Sequence, residues 1–201
     1  MPIPLLWIGA GLVGAALTAE HLREKAQKLT DEEERDRLRG IEPEPYRVGQ
    51  DNATKLPSDI LTSSMSAKPV PGAIVCCSVF TAFDHTGIWV DDDLIIELHG
   101  TGLIRGVSVS RFLDDRSGSN VFVACDSLGE PMALEETAVR AAQELMNYWD
   151  YDVIDNNCYR FTWHCISGDN TVVRDFSQLN DLLAKLHDRK VYWDKLDVDQ
   201  R

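Results

Sequence analysis

The chain has 201 residues, 44% of them hydrophobic and 26% charged, a globular composition that excludes wholesale disorder, collagen-like repeats and a multi-span membrane protein. Thirty-three acidic residues against twenty basic ones leave a net charge of −13, which repels nucleic-acid phosphates and anionic headgroups, so no nucleic-acid partner is expected. The five cysteines (Cys76, Cys77, Cys125, Cys158 and Cys165) are odd in number and too sparse for a secreted disulfide scaffold. They read as thiols in a reducing compartment.

Residues 3–19 carry no charge and number seventeen, the lower limit for a membrane-spanning helix. No positive charge other than the α-amino group precedes them and no small-x-small cleavage site follows, which favours an uncleaved anchor over a signal peptide. A core or docking helix is the alternative. Gly9, Gly11 and Gly14 spell a G-x-G-x-x-G dinucleotide fingerprint after an apolar run. That motif needs a second buried strand ending in an acidic residue about twenty positions on. Here that region is Asp31-Glu32-Glu33-Glu34-Arg35, which cannot be a buried parallel strand. Small residues four apart (Ala10 and Gly14, Gly11 and Ala15) fit a close-packed membrane helix instead.

Residues 20–39 mix seven acidic and six basic side chains, the pattern of a solvated helical stalk with i,i+4 pairs. Residues 40–68 gather Pro43, Pro45, Pro57, Gly49 and a Ser/Thr run without periodicity, and read as linker. The expected organisation is an anchor at 1–19, a stalk and linker at 20–68, a globular domain at 69–170, and a C-terminal amphipathic helix and tail at 171–201.

After Pro71-Gly72, residues 73–80 form an apolar, β-branched run of strand length. Adjacent Cys76 and Cys77 would point to opposite faces as core thiols. Residues 85–90 and 94–99 flank Asp91-Asp92-Asp93 and predict a β-hairpin. Alternation puts His85, Gly87 and Trp89 on one face of the first strand, and Glu97 and His99 together on the second. A three-residue loop pairs Val90 with Leu94, so His85 lies across from His99 and diagonal to Glu97, and either can reach it. Residues 107–113 and 120–125 predict two more strands. Ala138, Ala141, Ala142 and Leu145 recur at helical spacing after Glu135 and Glu136.

Asn157 precedes the apolar face Cys158, Phe161, Cys165 and Ile166, a good N-cap that places Cys158 in a first helical turn. Backbone N–H groups and the positive helix end there lower a thiol's pKa and can hold a developing oxyanion. With a histidine base and a third polar residue to orient it, this is the arrangement for thiol acyl transfer, and Cys158 and His85 make the natural pair. His164 follows Cys158 by six residues, about 240° round the helix, too far to be the base. His21 and His187 lie in charged helices. No metal-ligand spacing is present, and no cofactor is called for.

The order of these motifs resembles the lecithin:retinol acyltransferase family, a permuted branch of the NlpC-type, papain-like superfamily. The resemblance runs over about residues 69–168 through Pro71-Gly72-Ala73-Ile74, His85-Thr86-Gly87-Ile88-Trp89-Val90, Arg111-Phe112-Leu113, the helix from Glu135, and Asn156-Asn157-Cys158-Tyr159-Arg160-Phe161. It implies an α+β fold with a small antiparallel sheet packed on helices. It implies Cys158 as nucleophile, His85 as base, and an orienting residue about twelve positions later, a spacing that lands on Glu97 where many relatives carry His. The family spacing favours Glu97; the direct-across register of the hairpin favours His99. Tyr159-Arg160 replaces the Glu-His that family members often have, which implies different substrate contacts there.

The function so implied is a membrane-tethered, single-pass thiol hydrolase or acyltransferase acting on lipid acyl esters through an acyl-cysteine, with its catalytic domain on the cytoplasmic side. A cysteine peptidase or amidase acting on peptides is the alternative. A non-catalytic module is the third, in which the stripe Phe176, Leu179, Leu182, Leu183 and Leu186 binds a protein partner rather than packing on the domain.

Overall fold

Period-two patterning builds the sheet, and two short stretches that lack a clean pattern complete it. In a computed structural model of the chain, residues 66–79, 83–114, 116 and 118–197 are described. The expected anchor at 3–19, the charged stalk and nearly all of the linker lie outside them. Among the described residues no helix is long and apolar enough to cross a membrane.

The fold is α+β, with seven strands and four helices among the described residues. In chain order these are β1 (Ser66–Ala67), β2 (Ile74–Val79), β3 (Phe83–Asp91), β4 (Leu94–Leu98), β5 (Ile104–Val107), α1 (Val109–Phe112), β6 (Phe122–Cys125), α2 (Glu135–Gln143), α3 (Cys158–Ser167), α4 (Phe176–His187) and β7 (Tyr192–Leu196). The sheet order is β1-β7-β6-β2-β3-β4-β5. All neighbours are antiparallel except β1 and β7, which run parallel. The sheet is therefore larger than the small antiparallel one expected, and mixed.

Three expectations are corrected. Ser66 and Ala67, read as linker, pair with Lys195 and Leu196. The strand expected over 107–113 ends at Val107, and the chain turns into α1, capped by the Ser108 hydroxyl on the Arg111 N–H. The expected C-terminal tail contains β7, which lies between β1 and β6 and pairs Tyr192 with Cys125 through Lys195 with Phe122.

Alternation divides the core between the two sheet faces. Ile74, Cys76, Ile88, Ile96 and Leu98 face the cluster holding Phe161 and Cys165 of α3 and Phe176, Leu179 and Leu183 of α4. Val75, Cys77, Trp89 and Ile95 belong to the other cluster, with Val123 and Phe112 of α1. The stripe on α4 is thus buried at Phe176, Leu179 and Leu183, while Leu186 is exposed. Gly72 makes the turn into β2 at φ 87, where an added Cβ would sit 2.1 Å from the Leu134 carbonyl oxygen.

Trp193 shows why β7 belongs to the core. It is fully buried, its ring lies 5.1 Å from that of Phe176, and its Nε1–H donates to Asn180 Oδ1 at 3.0 Å. Trp193→Ala should cost about 3–5 kcal/mol in urea unfolding. A loss below about 0.5 kcal/mol, as for an unpacked surface side chain, would show that β7 is dispensable to the fold.

Candidate active site

Helix α3 begins where its cap dictates. Asn157 is buried in extended conformation, and its Oδ1 accepts from the N–H groups of Tyr159 (3.0 Å) and Arg160 (3.1 Å). Its Nδ2 donates to the carbonyls of Val153, Ile154 and Arg174. The cap therefore fixes the helix start against both the preceding loop and the segment leading to α4. Cys158 is the first helical residue, and the cap does not use its own N–H.

The hairpin brings the other groups. Ile88 pairs with Ile96 and Trp89 with Ile95, the register expected from a Val90–Leu94 closure, with a bulge that pairs Asp91 with Leu94 at the turn. In that register position 99 is directly across from His85, yet the side chains choose the diagonal. His85 Nε2 lies 2.7 Å from Glu97 Oε2. His99 Nδ1 instead engages the Thr101 hydroxyl at 2.9 Å and the Thr101 N–H at 3.3 Å, folding onto its own loop beyond β4. With Nε2 committed to Glu97, the other ring nitrogen of His85 is left for the Cys158 thiol, with which the ring is hydrogen-bonded.

Three residues not singled out as site residues in the sequence complete the surroundings of Glu97, whose side chain is wholly buried. Arg105, opposite Glu97 on β5, donates from Nε to Oε1 at 2.8 Å. Arg116 donates from Nη2 to Oε2 at 2.8 Å and from Nη1 to Cys77 Sγ at 3.3 Å. Phe112 packs against His85 with ring centroids 5.2 Å apart and carries the Arg116 guanidinium over its face at 4.9 Å. Room for that ring comes from Gly87, where an added Cβ would come within 2.7 Å of Ile95 Cγ2 and 3.1 Å of Phe112 Cε2.

On the other side of β3, the Thr86 hydroxyl lies 2.9 Å from that of Thr162 on α3. Both the N–H and the hydroxyl of Thr86 bear on the Cys158 sulfur. The half-buried Tyr151 ring feels the charge on Cys158 from the loop before α3.

These contacts set the ionisation states. Burial raises the Cys158 thiol, but His85 and then Thr86 outweigh it and the thiol pKa is lowered. Burial works against the His85 imidazolium, but Cys158 and Glu97 overcome it and raise its pKa. Burial opposes the Glu97 carboxylate too, yet His85, Arg116 and Arg105 bring it down to about 2. His99 is lowered by burial and by Arg105, so it is neutral near pH 7.

The remaining sequence-derived candidates are placed elsewhere. His164, in the last turn of α3, donates from Nδ1 to the Asp169 carbonyl at 2.9 Å. Tyr159 donates its hydroxyl to the Asp84 carbonyl on β3 and Arg160 reaches the Asp155 and Asn170 carbonyls, so both side chains beside Cys158 are committed to backbone carbonyls. Among the described residues no group of three or more His, Cys, Asp or Glu side chains is placed to hold a metal ion. Compared with known proteins, the chain matches no family model and no curated protein.

The cysteines separate sharply. Burial and Arg116 leave Cys77 at about 11, and burial raises Cys76 and Cys165 as well. Iodoacetamide near pH 6 should therefore label Cys158 first, by at least tenfold over Cys76, Cys77 and Cys165. Peptide mapping that finds Cys158 no faster than these would show that its thiol is not activated.

Proposed function

We propose that the chain is a thiol acyltransferase or hydrolase of the lecithin:retinol acyltransferase type, a permuted relative of NlpC-like and papain-like enzymes, acting on lipid acyl esters. The observation that carries this reading is the line Cys158, His85, Glu97, in which a thiol at a helix start meets an imidazole whose other nitrogen is 2.7 Å from a buried carboxylate.

In the reaction, the Cys158 thiolate attacks the ester carbonyl carbon and the S–C bond forms. The carbonyl oxygen takes up the negative charge beside the Cys158 N–H and the positive end of α3. As the C–O bond breaks, the His85 imidazolium gives its proton to the leaving alkoxide. Neutral His85 then takes a proton from water or another acceptor, which attacks the acyl-Cys158 thioester and releases the thiolate. Glu97 holds the imidazole in one orientation and stabilises its charged form throughout.

Lipid is favoured over peptide by the loops before Cys158. Of the eight large hydrophobic side chains exposed among the described residues, four fall within residues 146–154: Met146, Tyr148, Val153 and Ile154. Val153 and Ile154 stand at a turn closed by reciprocal Asp152 and Asn156 backbone hydrogen bonds, with Asp152 Oδ1 accepting from the Ile154 and Asp155 N–H groups. Exposed apolar side chains on the segment leading to a nucleophile suit an acyl-chain surface. An uncharged segment at residues 3–19 supplies a tether in the same reading.

Ester hydrolysis from phospholipid vesicles should be lost by a factor of thousands in His85→Ala and by about 10²–10⁴ in Glu97→Gln. His99→Ala should lose less than tenfold. In Glu97→Gln the alkaline limb of the pH–rate profile should move down, because the His85 imidazolium has lost its counter-charge and gives up its proton at lower pH. That variant should also be less stable, since the nearly buried Arg116 is left without a carboxylate. A larger loss in His99→Ala than in Glu97→Gln would reverse the assignment of the orienting residue, and cleavage of peptides in preference to lipid esters would favour an amidase.

A further inference from the structure

The mechanism above uses Glu97 but not the two guanidiniums that hold it. They are not equivalent. Arg105 is a cross-strand partner on β5, partly exposed, and meets only Oε1. Arg116 is nearly buried, meets the same oxygen that His85 uses, and is itself tied down at two further points: the Cys77 sulfur and the Phe112 ring. Cys77 suits this purpose because it remains a thiol, donating to the Phe112 carbonyl while accepting from Arg116. Phe112 closes the circuit by packing on His85. Imidazole, carboxylate, guanidinium and phenyl ring thus form one closed set of contacts, seated over Cys77, the residue that pairs with His85 across β2 and β3.

We infer that Arg116 is a positioning residue for the acyl-transfer site, holding the Glu97 carboxylate in line with His85 so that the site keeps its charged, reactive form in more acidic solution than it would without the guanidinium. This rests on the reading of Cys158 as the nucleophile. The physical case is that a carboxylate with no solvent access has to be held ionised by protein groups alone. Of those groups, His85 is the one whose charge changes during the reaction, so a fixed cation on the same oxygen keeps Glu97 ionised when His85 is neutral.

The ionisable groups facing the His85–Cys158 pair are Glu97 from β4, Arg105 from β5, Arg116 after α1, Cys77 from β2, Tyr151 from the loop before α3, Tyr159 from α3, and His99 beyond β4. Removing Arg116 takes a positive charge from this set and makes Glu97 easier to protonate, which loosens its hold on the ring. Arg116 also repels the His85 imidazolium, but at low pH His85 is charged with or without it, so what changes there is the positive charge around the thiolate, and the onset of thiolate reactivity moves to higher pH.

The test needs no substrate. Alkylation of Cys158 by iodoacetamide is followed by mass spectrometry from pH 3 to pH 9 in the full chain, in Arg116→Gln and in Arg116→Lys, each checked for folding by circular dichroism. The low-pH onset should rise by about half a pH unit or more in Arg116→Gln. In Arg116→Lys, which keeps the charge but cannot hold Cys77 and Glu97 together, it should rise by less. An onset that stays in place while the rate falls evenly across pH would make Arg116 a packing residue and overturn the assignment. If Arg116→Gln does not fold, an unmoved onset in Arg116→Lys overturns it equally. A parent chain whose Cys158 is unreactive at low pH would instead remove the nucleophile itself, a failure distinct from that of Arg116.

Discussion

A carboxylate without solvent exposure is the constraint around which this site is arranged. Glu97 stands buried near the end of β4, where an unpaired charge would cost several kcal/mol or neutralise itself. Its compensation comes from three separate elements: His85 on β3, Arg105 on β5 and Arg116 after α1. Each places a demand on the fold. The β4–β5 register must set Arg105 opposite Glu97, α1 must interrupt the sheet to deliver Phe112 and Arg116, and Gly87 must leave space beneath His85 for the Phe112 ring. Removing any one partner leaves charge without compensation, which is why these elements depend on one another.

The same arrangement explains how one of five buried thiols can be biased toward its thiolate. Burial pushes Cys76, Cys77, Cys158 and Cys165 toward the neutral form. Cys76 and Cys165 meet acidic neighbours, Asp84 and Glu144 respectively, which add to that effect. Cys77 does face a guanidinium, but Arg116 is shared with Glu97 and the thiol remains protonated. Only Cys158 combines an imidazolium partner, Thr86 donors and a helix start. Proximity to positive charge is therefore insufficient: His85 and Arg116 are both paired with Glu97, and what sets Cys158 apart from Cys77 is the added Thr86 donors and the helix start.

The parts of the site that were legible in the sequence are those set by local rules. Asn157 could be read as a cap because capping is decided within three residues, and the hairpin register followed from alternation on either side of Asp91-Asp92-Asp93. The choice between Glu97 and His99 was not decided by register, since both share a face; family spacing pointed to Glu97, and the contact with His85 follows the diagonal. Arg105 and Arg116 were illegible because nothing local distinguishes a surface arginine from one that meets a buried acid. Residues 107–113 looked like a strand because Val107 and Val109 are β-branched, whereas the Ser108 cap and the need to cover Trp89 and Ile95 with Phe112 favour a single helical turn. In β7 the buried Asp194 breaks the alternation that would have marked a strand.

The carboxylate also ties the chemistry to folding through pH. Glu97 is held near 2, below its ordinary range, so its ionised form contributes stability that is fully present above an unfolded carboxylate's pKa and is lost as pH falls toward 2. The pH-dependent part is on the order of 3 kcal/mol, although the cost of burying Glu97 and Arg116 offsets much of it in the net stability. His85 has the opposite sign: its raised pKa contributes stability present below its unfolded value and lost as pH rises through the folded one. Between those limits the charges that hold the site together are the same ones that keep the thiol ionised. Acid should therefore weaken the hold on His85 before it unfolds the sheet, because protonating Glu97 removes the counter-charge of two arginines and an imidazole, while the apolar core on either face is indifferent to pH.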